Sequence, residues 1–291
     1  MKKITALIIG VCLIAGLFSA CGKNENSATV LDTISYTYDS AYHFDDLTVS
    51  SYEDLCKAVV WSKEEVRINP SVFDNAMQLF YTSFPLNALI DKIEATSGAY
   101  VISYKNKETA HNDVLEFIKK IHGIYQNSDE SDTEKLIKIY NNIASSIKVS
   151  ENSAISCYET IMTGEGTSFS YSNMFEYVLQ QKGINAYHIL CEDESGSSKA
   201  MSAAEINGEM YYFDVFAEYE NNKGTLLKYF GMNSEELEKL GYKNLIYTNR
   251  QEAAKADGNR FSALRNCTRW EIEGEKLVVT DDDGNIVQVA L

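Results

Sequence analysis

The stretch that decides the fold is GTSFSYSNMFEYVLQQKGI, residues 166–184. Tyr171, Phe175 and Val178 stand at i, i+4 and i+7, and Leu179 follows at i+8, so one side of this segment is apolar at helical spacing. Gly183 is typical of the residue that follows the end of a helix. The spacing therefore predicts an amphipathic helix over residues 168–182, opened by the turn at 164–167.

Three short strands are predicted after this helix. Residues 186–191 and 200–206 are apolar and are separated by a polar loop. Asn207-Gly208 is a typical two-residue hairpin turn, and it leads into a third strand over 210–216. The segment therefore predicts a helix whose amino end faces an antiparallel sheet.

Together these segments resemble the transglutaminase-like family, whose fold is related to that of papain-type cysteine proteases. GTSFSY (166–171) is similar to the family's Gly-x-Cys-x-Gly-Tyr turn, and LQQKGI (179–184) to its Leu-x-x-x-Gly-Ile helix end. GEMYYFD (208–214) is similar to its Gly-x-Trp-Tyr-x-x-Asp strand, and YFGMNSEE (229–236) to its downstream acidic helix. The resemblance covers about residues 130–245 and implies an α+β fold, with a core of helices packed on an antiparallel sheet.

The resemblance also locates the catalytic positions. Ser168 stands where the family has its reactive Cys, and Lys199, nine residues before Gly208, stands where it has its His. Only Asp214 is the family's own residue type. The degenerate triad positions are therefore Ser168, Lys199 and Asp214.

These substitutions predict an inactive site. A serine hydroxyl needs a positioned base. Lys199, with a reference pKa of about 10.4, is protonated at neutral pH unless it is desolvated. We expect a Lys199–Asp214 ion pair, which would hold the proton more tightly. The alternative is a Ser168–Lys199 hydrolytic dyad, which requires a buried Lys199 within hydrogen-bond reach of Ser168 and away from Asp214.

A binding surface is predicted around the same positions. Met201 stands where the family has a Trp, and Tyr171 and Tyr211 belong to the motifs that open the helix and form the third strand. We expect Tyr171, Met201 and Tyr211 to contact a ligand in a groove between the Ser168 helix and the sheet.

Other nucleophiles and bases are less well placed. His188 and Cys191 are three residues apart on one strand, so their side chains face opposite sides of the sheet. His188 could point toward Ser168, although a structural role is favoured. Cys157, eleven residues before Ser168, is interpreted as a packing residue.

The amino terminus resembles a lipoprotein signal. Lys2 and Lys3 precede fifteen uncharged residues at 4–18, too few to span a bilayer comfortably. Ser19-Ala20-Cys21 resembles the lipobox of bacterial lipoproteins, which implies cleavage before Cys21 and lipid on that residue. An ordinary secretory signal is the alternative. The prediction is a signal peptide over 1–20, a lipidated tether over 21–33, and anchoring at the extracytoplasmic face of the cell membrane.

Composition excludes several classes of protein. Lys and Arg number 26 against 42 Asp and Glu, a net charge of −16, and removal of residues 1–20 would leave 24 against 42, or −18. Such an acidic chain does not favour nucleic acid as a partner. The four His and six Cys lack the close pairing of zinc clusters, so no metal or cofactor is expected.

Four cysteines remain after signal cleavage and lipidation. Cys56, Cys157, Cys191 and Cys267 are widely spaced. They allow three disulfide pairings, and free buried thiols are equally compatible with a domain of this size.

Three regions are predicted after the tether. Residues 34–127 form a small α/β region with an extended lead-in over 34–49, helices at 51–60, 74–81, 86–93 and 112–126, and strands at 65–68 and 99–104. Residues 128–258 form the transglutaminase-like domain, which begins with a helix at 134–147. Residues 259–291 form a β-hairpin that turns at 281–285; this acidic turn lacks the glycine spacing and terminal Glu of a calcium loop.

The functional prediction is a membrane-anchored pseudoenzyme that binds a peptide, glycan or protein partner at the bacterial cell surface. The first alternative is an active Ser-dependent hydrolase or acyltransferase that uses Ser168, Lys199 and Asp214. The second is a structural envelope protein without a ligand in the groove.

Overall fold

The structure, a computed structural model, describes residues 30–38, 44–125, 130–152, 154–247 and 256–291. The predicted signal peptide and Cys21 lie outside these residues. Within the described ranges, no helix combines the length and the apolar character needed to cross a membrane.

Helices and short strands alternate along the described chain. The helices are α1 (Asp46–Val60), α2 (Phe73–Ser83), α3 (Ala110–Ile124), α4 (Asp132–Ser146), α5 (Cys157–Thr163), α6 (Ser168–Gln181), α7 (Val215–Asn222) and α8 (Ser234–Lys239). The strands are β1 (Glu65–Val66), β2 (Ile90–Ala95), β3 (Tyr100–Tyr104), β4 (Lys148–Val149), β5 (Glu165–Gly166), β6 (Ala186–Glu192), β7 (Ser198–Ile206), β8 (Glu209–Phe213), β9 (Lys243–Tyr247), β10 (Cys267–Glu273), β11 (Lys276–Asp281) and β12 (Ile286–Ala290). The α+β class is confirmed.

The central layer pairs helix α6 with a four-stranded antiparallel sheet in the order β8-β7-β6-β9. The hairpin between β7 and β8 turns at Asn207-Gly208, where both residues have positive φ (53° and 83°), as predicted for this pair. Helix α6 packs on one face of β6 and β7. A smaller apolar cluster, which includes Tyr187, Ile189 and Met201, covers the opposite face.

Helix α6 begins and ends as its sequence predicts. The Thr167 hydroxyl accepts from the backbone N–H of Ser170, and the Ser170 hydroxyl accepts from the backbone N–H of Thr167, which forms a reciprocal cap. Tyr171 and Phe175 are buried on the inner side. Gly183 adopts the left-handed conformation (φ 73°) after the helix ends. The helix therefore presents Ser168 at its amino end.

A single continuous core joins the predicted regions. The rings of Phe117 on α3 and Tyr177 on α6 lie 6.0 Å apart, and apolar residues from Leu31 to Val289 belong to the same buried cluster. The predicted boundary near residue 127 therefore separates two stretches of sequence that share one core. Leu31 is 1% exposed and packs into that core, so a tether can extend only to about residue 30.

Several predicted element bounds change. The first helix starts at Asp46, within the predicted extended lead-in, because the Asp45 carboxylate accepts from the backbone N–H of Thr48 at 2.8 Å. The helix predicted at 86–93 is wrong: a 3₁₀ turn over Pro85–Leu89 leads into strand β2. β2 pairs with β3 in a hairpin through the turn at Gly98 (φ 106°), and this cross-strand pairing overrides the helical spacing of the segment.

The C-terminal unit is a three-stranded antiparallel sheet rather than a hairpin alone. β10 pairs with β11, and β11 pairs with β12. The predicted turn at 281–285 is confirmed, since the Asp281 carboxylate accepts from the backbone N–H of Asn285 at 2.8 Å. Leu277 and Val279 on β11 are buried against the common core.

Candidate functional site

Ser168 is the first residue of α6, at the position that the motif predicts for a nucleophile. Its side chain is only 9% exposed, and its hydroxyl makes no hydrogen bond to any other residue in the described part of the chain. The next residue, Phe169, is exposed. The helix terminus favours negative charge at this position, but no base contacts the hydroxyl to generate it.

Lys199 lies on β7 and forms ion pairs with two carboxylates. Its Nζ atom lies 3.0 Å from Oε2 of Glu220 and 3.9 Å from Oδ2 of Asp193. Burial opposes the charged form, but the hydrogen bond to Glu220 and the charges of Glu220, Asp214 and Asp193 outweigh it, so the pKa of Lys199 is raised. The predicted direct ion pair between Lys199 and Asp214 is not formed; Glu220 on α7 is the carboxylate that Lys199 contacts most closely. An ammonium held in this way cannot accept a proton from a hydroxyl.

Asp214 serves as a structural cap at the start of α7. It is 1% exposed. One oxygen accepts from the backbone N–H groups of Phe216 and Ala217 at 3.0 and 2.8 Å, and the other accepts from the Tyr242 hydroxyl at 2.7 Å. Burial raises the pKa of Asp214 even though these hydrogen bonds favour the carboxylate. The cap also explains why the third strand ends at Phe213, three residues earlier than predicted.

The three residues predicted to bind a ligand lie in the core. The Tyr171 hydroxyl donates to the Gly164 carbonyl at 2.6 Å and accepts from the backbone N–H of Lys148 at 3.0 Å. Met201 is buried in the apolar cluster on the outer face of the sheet, and Tyr211 is buried with its hydroxyl on Glu209. In this conformation Tyr171, Met201 and Tyr211 pack within the fold and are 0–1% exposed.

The predicted groove between α6 and the sheet is occupied by a buried polar network. The Ser172 hydroxyl lies 3.1 Å from Nδ1 of His188 and 3.0 Å from the Ser202 hydroxyl. Burial lowers the pKa of His188 to about 4, so its imidazole is neutral. His188 thus contacts the helix one turn below Ser168 and has a structural role. Cys191 belongs to the apolar cluster on the other face, which confirms that the two side chains diverge.

An open cavity of about 460 Å³ lies beside Lys199 instead. Its walls include Asp193 and Glu194 from the β6–β7 loop, Tyr229, and Tyr242, which also contacts Asp214. Ser168 is not among its lining residues. The space that a partner could enter is therefore separate from Ser168, the residue at the nucleophile position.

Two charged residues near the site, the buried Glu218 and the largely buried Arg265, were missed by sequence reasoning. The Glu218 carboxylate accepts from the backbone N–H of Tyr229 at 2.8 Å and from that of Leu226 at 3.3 Å. Arg265 donates to the carbonyls of Lys228 and Phe230. Both side chains fix the 225–230 segment, which carries Tyr229 of the cavity. Charged residue types are usually exposed, so the residue types alone gave no signal of this role.

The four cysteines of the described chain are free thiols. Burial raises the pKa of each of them, and that of Cys191 reaches about 12, so the thiol is the dominant form near neutral pH. None of these cysteines replaces the missing nucleophile as a reactive thiolate. Among the described residues, no three His, Cys, Asp or Glu side chains lie together as a metal site.

Comparisons with known proteins give similarity of structure only. No protein-family model and no curated protein matches the sequence. Similar solved structures include a candidate cysteine protease from Cytophaga hutchinsonii (TM-score 0.31, 15% identity, 48% of this chain and 50% of that one) and a TGase (TM-score 0.33, 13% identity, 54% and 50%). A third is a candidate protease from Parabacteroides distasonis (TM-score 0.26, 12% identity, 43% and 30%). The chain spans half or less of the length of each.

Proposed function

We propose that the chain is a lipoprotein, anchored through Cys21 at the extracytoplasmic face of the cell membrane, with a catalytically inactive transglutaminase-like domain that binds a peptide, glycan or protein partner. The ion pair between Lys199 and Glu220 is the observation that supports inactivity. Lys199, at the position of the base, is held in its protonated form by two ion pairs. Asp214, the triad position that keeps the residue type of the family, caps helix α7.

The cavity beside Lys199 is the proposed binding site for the partner. Its volume of about 460 Å³ falls within the ~300–1,000 Å³ typical of ligand pockets. Asp193, Glu194 and the adjacent Glu220 outnumber the single ammonium of Lys199. The local charge therefore favours a neutral or basic group of the partner over an acidic one.

Inactivity predicts that Ser168 stays unlabelled by a serine-directed fluorophosphonate probe. We expect the full-length protein to label no faster than its Ser168→Ala variant, because no base deprotonates the hydroxyl. We expect Ser168→Cys combined with Lys199→His to react with iodoacetamide no faster at neutral pH than Ser168→Cys alone. Lys199 lies opposite Cys191, whose side chain packs on the face of the sheet away from α6, so a His at 199 would not reach the thiol. Mass spectrometry of the labelled peptides gives the readout.

Two outcomes would count against the inactive site. Labelling of Ser168 in the unmutated protein, reduced by Lys199→Met, would establish the hydrolase alternative. Faster alkylation of the double variant than of Ser168→Cys would show that residue 199 reaches residue 168, as the hydrolase alternative requires.

The anchor predicts that an alkyne-tagged palmitate fed to cells that express the full-length chain is incorporated at Cys21. We expect Cys21→Ser to abolish incorporation and to release the protein from the membrane fraction, because lipid on that residue is the proposed source of membrane affinity. Cys12→Ser is the matched control, since that residue lies within the predicted signal peptide and should leave labelling unchanged. Undiminished labelling of Cys21→Ser would refute the anchor.

A further inference from the structure

The C-terminal sheet has one edge strand that carries charged residues and one that does not. In the order β10-β11-β12, the two outer strands are β10 and β12. β10 carries Arg269, Glu271 and Glu273, whereas β12 has the sequence IVQVA, with neither a charged residue nor a proline. Such residues normally protect an edge strand, because they oppose pairing with another chain. The edge of β12 therefore has none of this protection.

The backbone of β12 directs half of its hydrogen-bonding groups away from the sheet. Leu291, directly after β12, donates its backbone N–H to the carbonyl of Glu275, directly before β11, at 2.9 Å. Hydrogen-bonded residues alternate along an antiparallel ladder, so the odd-numbered residues of β12 bond to β11. Ile286, Gln288 and Ala290 therefore direct their backbone N–H and C=O groups outward. In the described ranges no further strand pairs with β12 on that side.

Arg260 occupies the last of these outward groups. Its guanidinium donates to the carbonyl of Ala290 from Nε at 3.2 Å and from Nη2 at 2.5 Å. The groups left on the edge are the N–H and C=O of Ile286 and Gln288 and the N–H of Ala290. At ~3.3 Å per residue, they match an extended segment of about five residues.

Apolar side chains flank these backbone groups. Ile286 is 67% exposed, more than any other large apolar side chain in the part of the chain that the structure describes, and Val287 is 40% exposed. Successive side chains of a strand lie on opposite faces of the sheet. A strand paired with β12 would place its own side chains ~4.5–5.5 Å from these two, measured between Cβ atoms. Apolar residues on both of its faces would therefore be favoured.

The charge around this edge indicates the kind of partner. Residues 267–291 contain two basic and six acidic side chains. Asp282 and Asp283 are exposed in the turn that leads into β12. A second copy of this chain would bring the same excess of acid to the contact, and like charges disfavour association. Lysine or arginine beside Asp282 and Asp283 would instead be attracted.

We propose that β12 pairs with an extended basic segment of another protein, which adds a fourth strand to the C-terminal sheet. When a strand is added to an exposed sheet edge, main-chain hydrogen bonds supply affinity and alternate side chains supply specificity. Here the apolar side chains of the segment cover Ile286 and Val287, and its basic residues face the turn at Asp282 and Asp283. The proposal does not depend on the function assigned to the cavity beside Lys199.

Fluorescence anisotropy of a rhodamine-labelled peptide amide, KTVTVTK, tests this edge on the full-length chain in a zwitterionic detergent. We expect saturable binding that is at least about tenfold tighter than that of ETVTVTE, because the acidic version meets the like charge of the turn. Added salt should narrow this difference, since the charges are exposed. KTVTVTK with N-methyl groups on its five central residues should not bind, because it has no backbone donors there for the edge.

Two variants of β12 locate the binding. Gln288→Pro removes an outward N–H that β11 does not use, a substitution that edge strands tolerate. Ile286→Lys adds a positive charge beside the peptide at an exposed position. Each should weaken binding of KTVTVTK at least about fivefold, through loss of one backbone hydrogen bond or through charge repulsion. Ile246→Lys, at a residue that is 60% exposed on β9, makes the same change of charge and is the matched control with unchanged affinity.

Hydrogen exchange gives a second readout, with residue resolution. Saturating KTVTVTK should slow exchange of the backbone amides of Ile286 and Gln288, which point outward. The amides of Val287 and Val289, already bonded to β11, should change little. Binding elsewhere on the protein would not produce this alternation.

Failure of KTVTVTK to bind saturably to the unmutated protein would overturn the proposal, as would equally tight binding of ETVTVTE. Full affinity in both Gln288→Pro and Ile286→Lys would do the same. A dimer of the unmutated protein in sedimentation velocity, lost in Ile286→Lys but kept in Ile246→Lys, would assign the edge to a second copy and equally refute the basic segment.

Discussion

Arg265→Ala is expected to lower the free energy of unfolding by about 3–5 kcal/mol, the range for loss of one partner from a buried charge pair. Arg265 is largely buried and donates to the carbonyls of Lys228 and Phe230, while its Nε atom lies 3.6 Å from Oε1 of Glu236. Alanine would leave two carbonyls without these donors and remove the positive charge nearest to Glu236. Arg265→Lys should recover only part of the loss, because one ammonium cannot reproduce the forked geometry.

Chemical denaturation of the full-length variants measures this effect. Arg269→Ala is the matched control, since Arg269 pairs with Glu271 at 2.9 Å on the exposed face of β10 and should cost less than about 1 kcal/mol. An Arg265→Ala variant as stable as Arg269→Ala would show that the 225–230 segment does not depend on the guanidinium.

Gly224→Ala is expected to lower the free energy of unfolding by about 2–5 kcal/mol. Gly224 adopts φ 74°, where a side chain costs ~1–2 kcal/mol. A Cβ atom there would lie 2.4 Å from the backbone carbonyl of Ala144 and from the backbone nitrogen of Ser145 on α4. Backbone atoms of a packed helix cannot rotate away, so the overlap adds a further ~1–3 kcal/mol of overpacking.

Gly208→Ala separates these two contributions. Gly208 has a similar φ of 83°, but a Cβ atom built there meets no atom within 4 Å. We expect it to cost only the conformational part, about 1–2 kcal/mol, in the same denaturation experiment. Equal losses at the two glycines would mean that α4 and the residues after α7 are not in the close contact that the structure shows.

Local spacing predicted the elements whose packing depends on a single apolar face. Helix α6 and its glycine stop could be predicted from residues 166–184, because the apolar spacing and Gly183 both lie within that one segment. Strand β2 could not be derived, since Ile90 and Ile93 fit helical spacing as well as a strand. Pairing with β3, which itself pairs with the distant strand β1, decides between the two structures.

Sequence reasoning was likewise only partly successful for the candidate site. The motif resemblance located Ser168, Lys199 and Asp214, but the partners of these residues could not be predicted. Glu220 lies 21 residues after Lys199 and Tyr242 lies 28 residues after Asp214, so each contact depends on how α7 and the loop after α8 fold back. The burial of Tyr171 and Tyr211 was missed for a related reason, since an aromatic motif residue looks alike in a groove and in a core.

The docking of Leu31 limits how far the protein can stand from a bilayer. In the proposed anchored state, only ten residues join Cys21 to Leu31, and a fully extended chain of that length reaches about 35 Å. The folded body would thus work within a layer about one protein diameter deep above the lipid headgroups. A net charge of −18 on that body would be repelled by anionic lipids over a Debye length of about 8 Å at physiological salt. The short tether and the negative charge together would favour partners embedded in, or close to, the same membrane.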